Sequence, residues 1–328
     1  MRMRMRHLLV VALASGLLIG LSSARAQVPV KVYRVGVLGT REGPSTPALR
    51  QGFRELGYVD GRDVVITYRW SEGKADRFPA LAAELVNLKV DVIIASGPPA
   101  AVAAKAATTS IPIVFTLVGD PVGLGLVASL ARPGGNVTGL SSLVDSGPYT
   151  QKQLELLKEM VPGATRVAVL RNPTNPMESR VLPYTMAAAE KLGLTIQVVD
   201  ARTPEDIDRA FGAAVQGRAG AIHVHGDPLL GAHRTRIVAL AASHRLPAMY
   251  FASESVLAGG LMSFGPRTDD LLRRVAGYVD RIRKGARPGD LPVEQPTRFE
   301  LVINMKTASD LGLVVPLSLR LRADHVVE

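Results

Sequence analysis

The sequence predicts an α/β protein made of two lobes, each a doubly wound parallel sheet, joined by a hinge. Short apolar runs alternate with helical patterns along the chain, which is typical of parallel strands connected by helices. These runs are continuously apolar, as expected for strands that are covered on both faces. A set of landmarks that occurs twice indicates that the lobe is built twice.

The first half of the chain predicts five strands and four helices. The strands are expected at 35–38, 64–70, 92–96, 113–115 and 136–140. The helices are expected at 46–56, 77–88, 100–108 and 122–130. Gly57 ends the first helix and Pro112 precedes the fourth strand, because glycine and proline interrupt regular structure.

The second half repeats this alternation with four further strands. They are expected at 167–170, 195–199, 221–225 and 248–251. One helix is expected at 151–160, and a second one ends at residue 192. Two more are expected at 204–215 and 233–244. Gly193 ends the second of these helices, and Pro247 precedes the last strand.

Four landmarks of the first half recur in the second half at nearly constant offsets. The pairs are Val35 and Val167, Gly57 and Gly193, Val92 and Ala221, and Pro112 and Pro247, with offsets of 132, 136, 129 and 135 residues. A duplicated unit is the simplest account, and the recurrence of a favoured fold is the alternative.

The first 26 residues predict a secretory signal peptide that is cleaved near Ala26. Three arginines lie within the first six residues, an apolar stretch of about 14 residues follows, and Ala24-Arg25-Ala26 offers a small-residue cleavage site. A membrane anchor, the alternative, needs roughly 20 apolar residues. The chain contains no cysteine, which excludes disulfides and a lipid-modified cysteine behind the signal. We therefore expect a free protein in the periplasm.

The charge of the chain is mildly basic. The formal net charge is +10, and removal of residues 1–26 leaves 35 basic and 29 acidic residues, a charge of +6. The densest basic segment, at 273–287, is diluted by Asp269, Asp270 and Asp280. We interpret this segment as a solvated helix face, because nucleic-acid binding requires a clustered basic surface or stacking aromatic residues.

Polar residues that follow the predicted strands form the candidate ligand site. Ligands gather at the carboxyl ends of parallel strands, and two facing lobes form a cleft that closes by hinge bending. The candidates are Gly39, Thr40, Ser96, Gly97, Thr116, Asp120, Ser141, Asn172, Asn175, Asp227 and Glu254. Hydroxyl, amide and carboxylate groups beside helix N-termini suit a small zwitterion or polar solute. Helix capping is the alternative role of each residue.

The sequence predicts neither an enzyme nor a cofactor. It contains no GxSxG, HExxH, Walker A or GxGxxG motif. His223 and His225 lie two apart on one predicted strand and could be two metal ligands, but only Asp227 offers a third. Ordinary strand-end histidines are the favoured interpretation, and no metal is expected.

Two long stretches carry a resemblance to a known family. They are DPVGLGLVASLARPGGNVTGLS at 120–141 and DLPVEQPTRFELVINMKTASDLGL at 290–313. Both resemble the substrate-binding proteins of ABC importers, in the branch similar to tryptophan-binding proteins. The stretches GFRELGYVDGRDVVITYRW at 52–70 and RIRKGARPGDLPVE at 281–294 agree with this resemblance, which covers nearly the whole chain after the signal.

The resemblance implies the type I periplasmic binding protein fold and a receptor function. Such a receptor captures a small-molecule solute in the cleft, here an amino acid, including an aromatic one, or a small carboxylate. It delivers the solute to an ABC permease in the inner membrane. We expect a monomer that binds no nucleic acid. The implied division is a signal peptide at 1–26, lobe one at 27–142 and 264–294, and lobe two at 143–263 and 295–328.

Two other functions remain open at this point. An exported ligand-sensing domain that docks on a membrane receptor could use the same two lobes. An exported enzyme could use Asp120 or Asp227 as an acid or a base, which would require two groups with separated pKa values in one cleft.

Overall fold

Two sheets dominate the computed structural model, which describes residues 32–43, 45–142 and 146–328. Tyr33–Glu328 belong to a single structural unit. The predicted signal peptide lies outside the described residues. Within the described ranges, no helix combines the length and the apolar character needed to cross a membrane.

The first sheet has five parallel strands in the order β2-β1-β3-β4-β5. The strands are β1 (Tyr33–Gly39), β2 (Val64–Trp70), β3 (Val92–Ser96), β4 (Ile113–Val118) and β5 (Val137–Ser141). The helices between them are α1 (Thr46–Glu55), α2 (Phe78–Asn87) and α3 (Pro98–Ala107), with a short 3-10 helix at Ala75–Arg77.

The helix predicted at 122–130 is wrong. The chain forms turns there, because Gly123 and Gly125 lie within three residues of each other and Gly125 adopts a φ of 66°. Glycine is costly inside a helix and favourable in such a turn.

The second sheet has seven strands in the order β12-β11-β10-β9-β8-β6-β7. They are β6 (Arg166–Arg171), β7 (Thr195–Asp200), β8 (Ala221–Val224), β9 (Ala248–Tyr250), β10 (Met262–Pro266), β11 (Phe299–Asn304) and β12 (His325–Val327). All neighbours pair in parallel except β10 and β11. The sequence did not predict this antiparallel strand.

Nine helices accompany the second half of the described chain. They are α4 (Ser146–Met160), α5 (Glu178–Lys191), α6 (Asp206–Gln216), α7 (Pro228–Ala232), α8 (Arg234–Ser243), α9 (Ser253–Leu257), α10 (Thr268–Arg283), α11 (Met305–Asp310) and α12 (Leu317–Arg322). A 3-10 helix lies at Pro288–Asp290.

The same strand order occurs in both sheets, since β7-β6-β8-β9-β10 repeats β2-β1-β3-β4-β5. The register is also the same. Val35 pairs with Val92 in the first sheet, as Val167 pairs with Ala221 in the second. The two-lobed, doubly wound fold predicted from the sequence is therefore confirmed, and the landmark residues occupy equivalent positions.

Helices cover both faces of each sheet. In the first sheet, α2 and α3 bury one face, whereas α1 and α10 bury the other, with Leu49, Leu271 and Tyr278 in that core. In the second sheet, α6 and α8 pack on one face and α4 on the other. Burial on both faces explains the continuously apolar strands.

The chain passes between the sheets three times. It leaves the first sheet after Ser141, returns to it after Pro266, and leaves again after Glu294, which bridges to Leu140. The return predicted near 263 falls after Pro266, because β10 pairs with β9 and β11. With that shift, we keep the predicted lobe boundaries as a proposal.

Candidate functional site

A cavity of about 280 Å³ lies between the carboxyl ends of the two sheets. This volume is near the lower limit of about 300–1,000 Å³ that is usual for small-molecule sites. Both lobes supply its walls, as the fold rule for parallel sheets requires. Its principal lining residues are Thr40, Trp70, Ser96 and Leu117 from lobe one, and Gln153, Glu178, His223, Phe251 and Glu254 from lobe two.

Each lobe presents one aromatic ring beside a glycine. In lobe one, a Cβ atom on Gly39 would lie 2.7 Å from the ring of Trp70. In lobe two, a Cβ atom on Gly226 would lie 2.6 Å from the ring of Phe251. Only glycine permits this close approach. The two glycines therefore determine where the rings stand in the cavity walls.

Further aromatic rings support these two. Trp70 stacks on Tyr68 with ring centroids 5.2 Å apart. Phe251 meets the ring of Tyr149 edge to face, with centroids 6.0 Å apart. Such pairs are favourable beyond the area they bury, so the aromatic walls have a defined geometry.

A buried hydrogen-bond network from α4 and β8 forms the polar wall of lobe two. The Tyr149 hydroxyl donates to the Phe264 carbonyl oxygen over 2.6 Å, and Gln153 Nε2 donates to the same oxygen over 2.8 Å. Gln153 Oε1 lies 3.0 Å from His223 Nε2. Burial raises the pKa of Tyr149 well above its usual value, so this hydroxyl stays protonated.

His225, the residue directly after β8, pairs with a buried carboxylate. His225 Nδ1 lies 3.1 Å from Glu178 Oε2, and Nε2 lies 3.1 Å from Thr185 Oγ1. Burial, together with the neighbouring His225, lowers the pKa of His223 well below its usual value. His223 is therefore neutral at physiological pH.

Asp227 is held by four donors rather than left free. Its carboxylate accepts from the backbone N–H groups of Leu229 and Leu230, at 2.8 and 3.0 Å, and so caps α7. Asn175 Nδ2 donates to it over 2.8 Å and Asn172 Nδ2 over 3.3 Å. Burial raises the pKa of Asp227 to about 6. The side chain lines the cavity, but its oxygens are engaged.

Glu254 leaves one carboxylate oxygen unused. Its Oε1 accepts from the Ser45 hydroxyl over 2.7 Å, across the cleft. Its Oε2 is buried and has no hydrogen-bond partner among the described residues, and the same holds for Thr40 Oγ1. Buried polar groups normally have partners, so these two atoms mark positions where a ligand can supply them.

Six of the eleven predicted site residues line the cavity. These are Gly39, Thr40, Ser96, Gly97, Asp227 and Glu254. The other five, Thr116, Asp120, Ser141, Asn172 and Asn175, lie outside the lining.

Four of those five form hydrogen bonds that hold neighbouring segments of the chain in place. Ser141 donates to the Val118 carbonyl oxygen, and Asn172 and Asn175 donate to Asp227. Asp120 accepts from the backbone N–H of Gly123 over 2.7 Å, which is the capping alternative, although it caps a turn and not a helix. Thr116 is buried within β4, and its hydroxyl has no partner among the described residues.

Several contacts cross the cleft between the two lobes. Arg180 of lobe two forms an ion pair of 2.6 Å with Asp120 of lobe one and also donates to the Gly123 carbonyl oxygen. Arg41 of lobe one donates to the Ala232 carbonyl oxygen over 2.6 Å. Together with the bond from Ser45 to Glu254, these contacts describe lobes that have come together.

Sequence reasoning missed most of the cavity wall. Trp70, the one tryptophan of the chain, ends β2 at the ligand edge of its sheet, and that position was a usable signal. Leu117 adopts a φ of 57° where the register of β4 shifts, which no sequence pattern indicated. Positive φ is unfavourable for such a side chain and often occurs at functional sites.

His223 and His225 are the candidate metal ligands that the sequence offers. Among the described residues, no group of three or more His, Cys, Asp or Glu side chains could hold a metal ion. His223 and His225 face separate partners, Gln153 and Glu178.

Two α/β lobes with a cavity between them, lined by an aromatic ring from each lobe, define the class of protein that binds a small molecule between its lobes. The chain belongs to the family of ABC transporter substrate-binding proteins, whose model matches residues 34–327. The resemblance seen in the sequence is thereby confirmed. Proteins of this family act outside the cytoplasm, which agrees with the predicted export.

Two of the similar proteins are named for, or solved with, an aromatic amino acid. The chain is 28% identical over 301 residues to a tyrosine-binding protein of Clostridioides difficile (strain R20291), covering 90% of this chain and 84% of the relative. It is 29% identical to an ABC domain from Streptococcus pneumoniae solved in complex with L-Trp, with a TM-score of 0.83 and coverage of 90% of this chain and 100% of the other.

A third relative differs in its conformation. A substrate-binding protein with adhesive properties from Clostridium difficile, in its ligand-free, open structure, is 26% identical and has a TM-score of 0.63. That comparison covers 90% of this chain and 99% of the other. The present structure therefore matches the tryptophan-bound relative more closely than the open one.

Proposed function

We propose that this protein is the extracytoplasmic receptor of an ABC importer and captures an aromatic amino acid between its lobes. The observation that carries the proposal is the cavity between the lobes, which has an aromatic ring in each lobe and a Glu254 carboxylate oxygen without a partner among the described residues. Its relatives bind tyrosine and tryptophan. The protein works as a monomer in the periplasm, passes its ligand to an inner-membrane permease, and catalyses no reaction.

The ligand ammonium group binds Glu254. Its Oε2 atom is buried without a partner in the described part of the chain, and a buried carboxylate is stable only when it is paired. An ammonium group supplies the opposite charge and three donors. Ser45 holds the other oxygen from across the cleft, so the carboxylate is already oriented when the lobes are together.

The ligand carboxylate binds the hydroxyl groups of lobe one. Thr40 Oγ1 is buried without a partner among the described residues, and Ser96 also lines the cavity. Pro98 and Pro99 carry no N–H, so the first turn of α3 offers little backbone recognition beyond Ala100. Thr40 and Ser96 therefore take the larger share.

The aromatic side chain packs between Trp70 and Phe251. Each ring belongs to a different lobe, so a ligand that contacts both is fully bound only in the closed form. Such a ligand shifts the equilibrium towards closure by its differential affinity for the two states. The permease then reads the closed surface.

A thermal-shift titration of residues 27–328, after unfolding and refolding to remove bound ligand, tests the proposal. A ligand at 100 times its dissociation constant adds about 2.7 kcal/mol to the free energy of unfolding, roughly 5 °C in Tm for a chain of this size. We expect such a shift with tryptophan or tyrosine and none with sugars.

The substitution Glu254→Gln keeps the shape of the side chain and removes its charge. We expect affinity for the responding amino acid to fall about 30-fold or more, because a buried charge loses its partner. Glu190→Gln, on the exposed surface of α5, is the matched control and should leave affinity unchanged. A refolded protein that responds to no amino acid would contradict the proposed function.

A further inference from the structure

The imidazole of His223 is the starting point, since it lines the cavity with one nitrogen unused. The side chain is 1% exposed. Its Nε2 lies 3.0 Å from Gln153 Oε1. Its Nδ1 is buried and has no hydrogen-bond partner among the described residues. The chemical character of that atom depends on which nitrogen carries the proton.

Gln153 determines the tautomer of His223. The Phe264 carbonyl oxygen can only accept, and it lies 2.8 Å from one amide atom of Gln153. That atom must therefore be the NH₂ nitrogen, and the oxygen must face His223. Because this oxygen accepts, His223 Nε2 carries the proton.

Burial, and secondly the neighbouring His225, lowers the pKa of His223 and keeps a second proton off its ring. The His225 ring lies 5.0 Å away and faces partners of its own, Thr185 and Glu178. A second proton on His223 would lie on Nδ1, where no described residue accepts it, and a buried charge without a partner is costly. His223 Nδ1 therefore holds a lone pair.

We propose that His223 Nδ1 accepts a hydrogen bond from the ring of the ligand and selects aromatic amino acids whose ring carries an N–H or O–H group. This inference rests on the proposed function. It deepens it by naming the atom of lobe two that distinguishes an indole or a phenol from a plain phenyl ring. Phenylalanine would leave the acceptor buried and unpaired, and an unpaired buried acceptor is costly.

The ligand ring, and not its ammonium group, is the partner of His223. Glu254 offers the ammonium a negative charge, whereas the neutral nitrogen of His223 offers only a lone pair. A neutral N–H or O–H donor on the ligand ring needs only a lone pair as its partner.

Calorimetric titration with two matched ligand pairs tests the inference on the wild-type protein. The pairs are tyrosine with phenylalanine, and tryptophan with its N1-methyl derivative. We expect the ligand without a ring donor to bind about 10-fold more weakly in each pair that binds. Equal affinity within both pairs would overturn the role of His223 and leave the receptor function standing.

Two substitutions separate the two nitrogens of His223. In His223→Gln, the amide nitrogen can replace Nε2 as donor to Gln153, and the acceptor at Nδ1 is lost. We expect this variant to bind both members of each pair within about twofold. In His223→Asn, the side-chain oxygen can replace Nδ1, and we expect the preference for the ring donor to persist.

The remaining outcomes are also decisive. His244→Gln, at the exposed end of α8, is the matched control and should keep the wild-type preference. An unchanged preference in folded His223→Gln would overturn the inference, and so would equal weakening of both ligands of a pair. If neither His223 variant folds, the wild-type pairs decide alone. Wild-type protein that binds none of the four ligands would overturn the proposed function together with this inference.

Discussion

The loops after the third strand of the two lobes occupy the same place in the same topology and have opposite designs. In lobe one, Gly97 follows β3 and begins α3 with a φ of 87° and no side chain. In lobe two, Asp227 follows β8 and begins α7 with a carboxylate that accepts from two backbone N–H groups. The loops meet in the cleft, where a Cβ atom on Gly97 would lie 2.9 Å from Pro228.

This difference shows that two lobes with the same topology can have different roles in the cleft. The loop of lobe two is fixed by its own hydrogen bonds, through Asp227, Asn172 and Asn175. The loop of lobe one has no capping side chain, and Pro228 of the other lobe lies close to its Gly97. Lobe two therefore holds polar groups in position, and lobe one leaves room for the opposing loop.

The largest expected effect comes from removing the anchor of the lobe-two loop. Asp227→Ala leaves Leu229, Leu230 and Asn175 without their acceptor, and should lower the free energy of unfolding by about 2–4 kcal/mol. Urea unfolding measures this loss. Ser96→Ala in the corresponding loop of lobe one should stay within about 0.5 kcal/mol. Equal losses in both variants would remove the distinction between the loops.

The same anchor predicts a pH dependence. The pKa of Asp227 is raised from 3.8 to about 6 in the folded protein, so between these values the folded state binds the proton more tightly. Proton binding to Asp227 thus adds up to about 3 kcal/mol to the free energy of unfolding. This stabilisation is fully present below about pH 4 and is lost as the pH rises through about 6.

Unfolding of wild type and Asp227→Asn at several pH values isolates this contribution. The stability of wild type relative to the variant should decline from pH 4 to pH 7. A difference that grows with pH instead would mean that the fold prefers the charged carboxylate.

A smaller effect is expected from Gly97→Ala, which tests the clearance. The new Cβ atom collides with Pro228 only when the lobes are together, so ligand affinity should fall about 10-fold. Gly57→Ala has a comparable φ of 82° and open space around the position. It should lose stability through strain alone and keep its affinity.

The smallest effect is expected from the ion pair between Asp120 and Arg180. The two side chains are 32% and 46% exposed, and exposed pairs contribute about 0–1 kcal/mol. Arg180→Ala should weaken ligand binding by up to about fivefold, and less at high salt. Asp120→Ala in the same protein should add no further loss. Independent losses would show that the two residues act separately.

The strands could be predicted from the sequence because both faces of each sheet are buried. Apolar runs such as Val92–Ser96 can be predicted as strands without deciding which face is buried, because both faces are. The predicted bounds of this strand agree with the structure. The segment at 122–130 misled because its apolar residues fit a helix, whereas its glycines and the Asp120 cap favour turns.

The site could be predicted only where side chains follow strands. That rule found Thr40, Ser96 and Glu254. It could not place His223 in the cavity wall, because this residue lies within β8, nor could it find Gln153, which lies on a helix. The placement of Gln153 depends on the crossing after Ser141, which brings α4 against the second sheet. Such long-range placement leaves no local pattern.

The three crossings also set the order in which the molecule can fold. Leu271 and Tyr278 of α10 complete the core of the first sheet, and the Thr138 hydroxyl in β5 donates to the Leu291 carbonyl oxygen. The second sheet needs β11 and β12, up to Val327. Neither lobe is continuous in sequence, so a chain emerging N-terminus first contains no finished lobe until almost all of it is available. We therefore expect folding to be a late event that involves the whole chain.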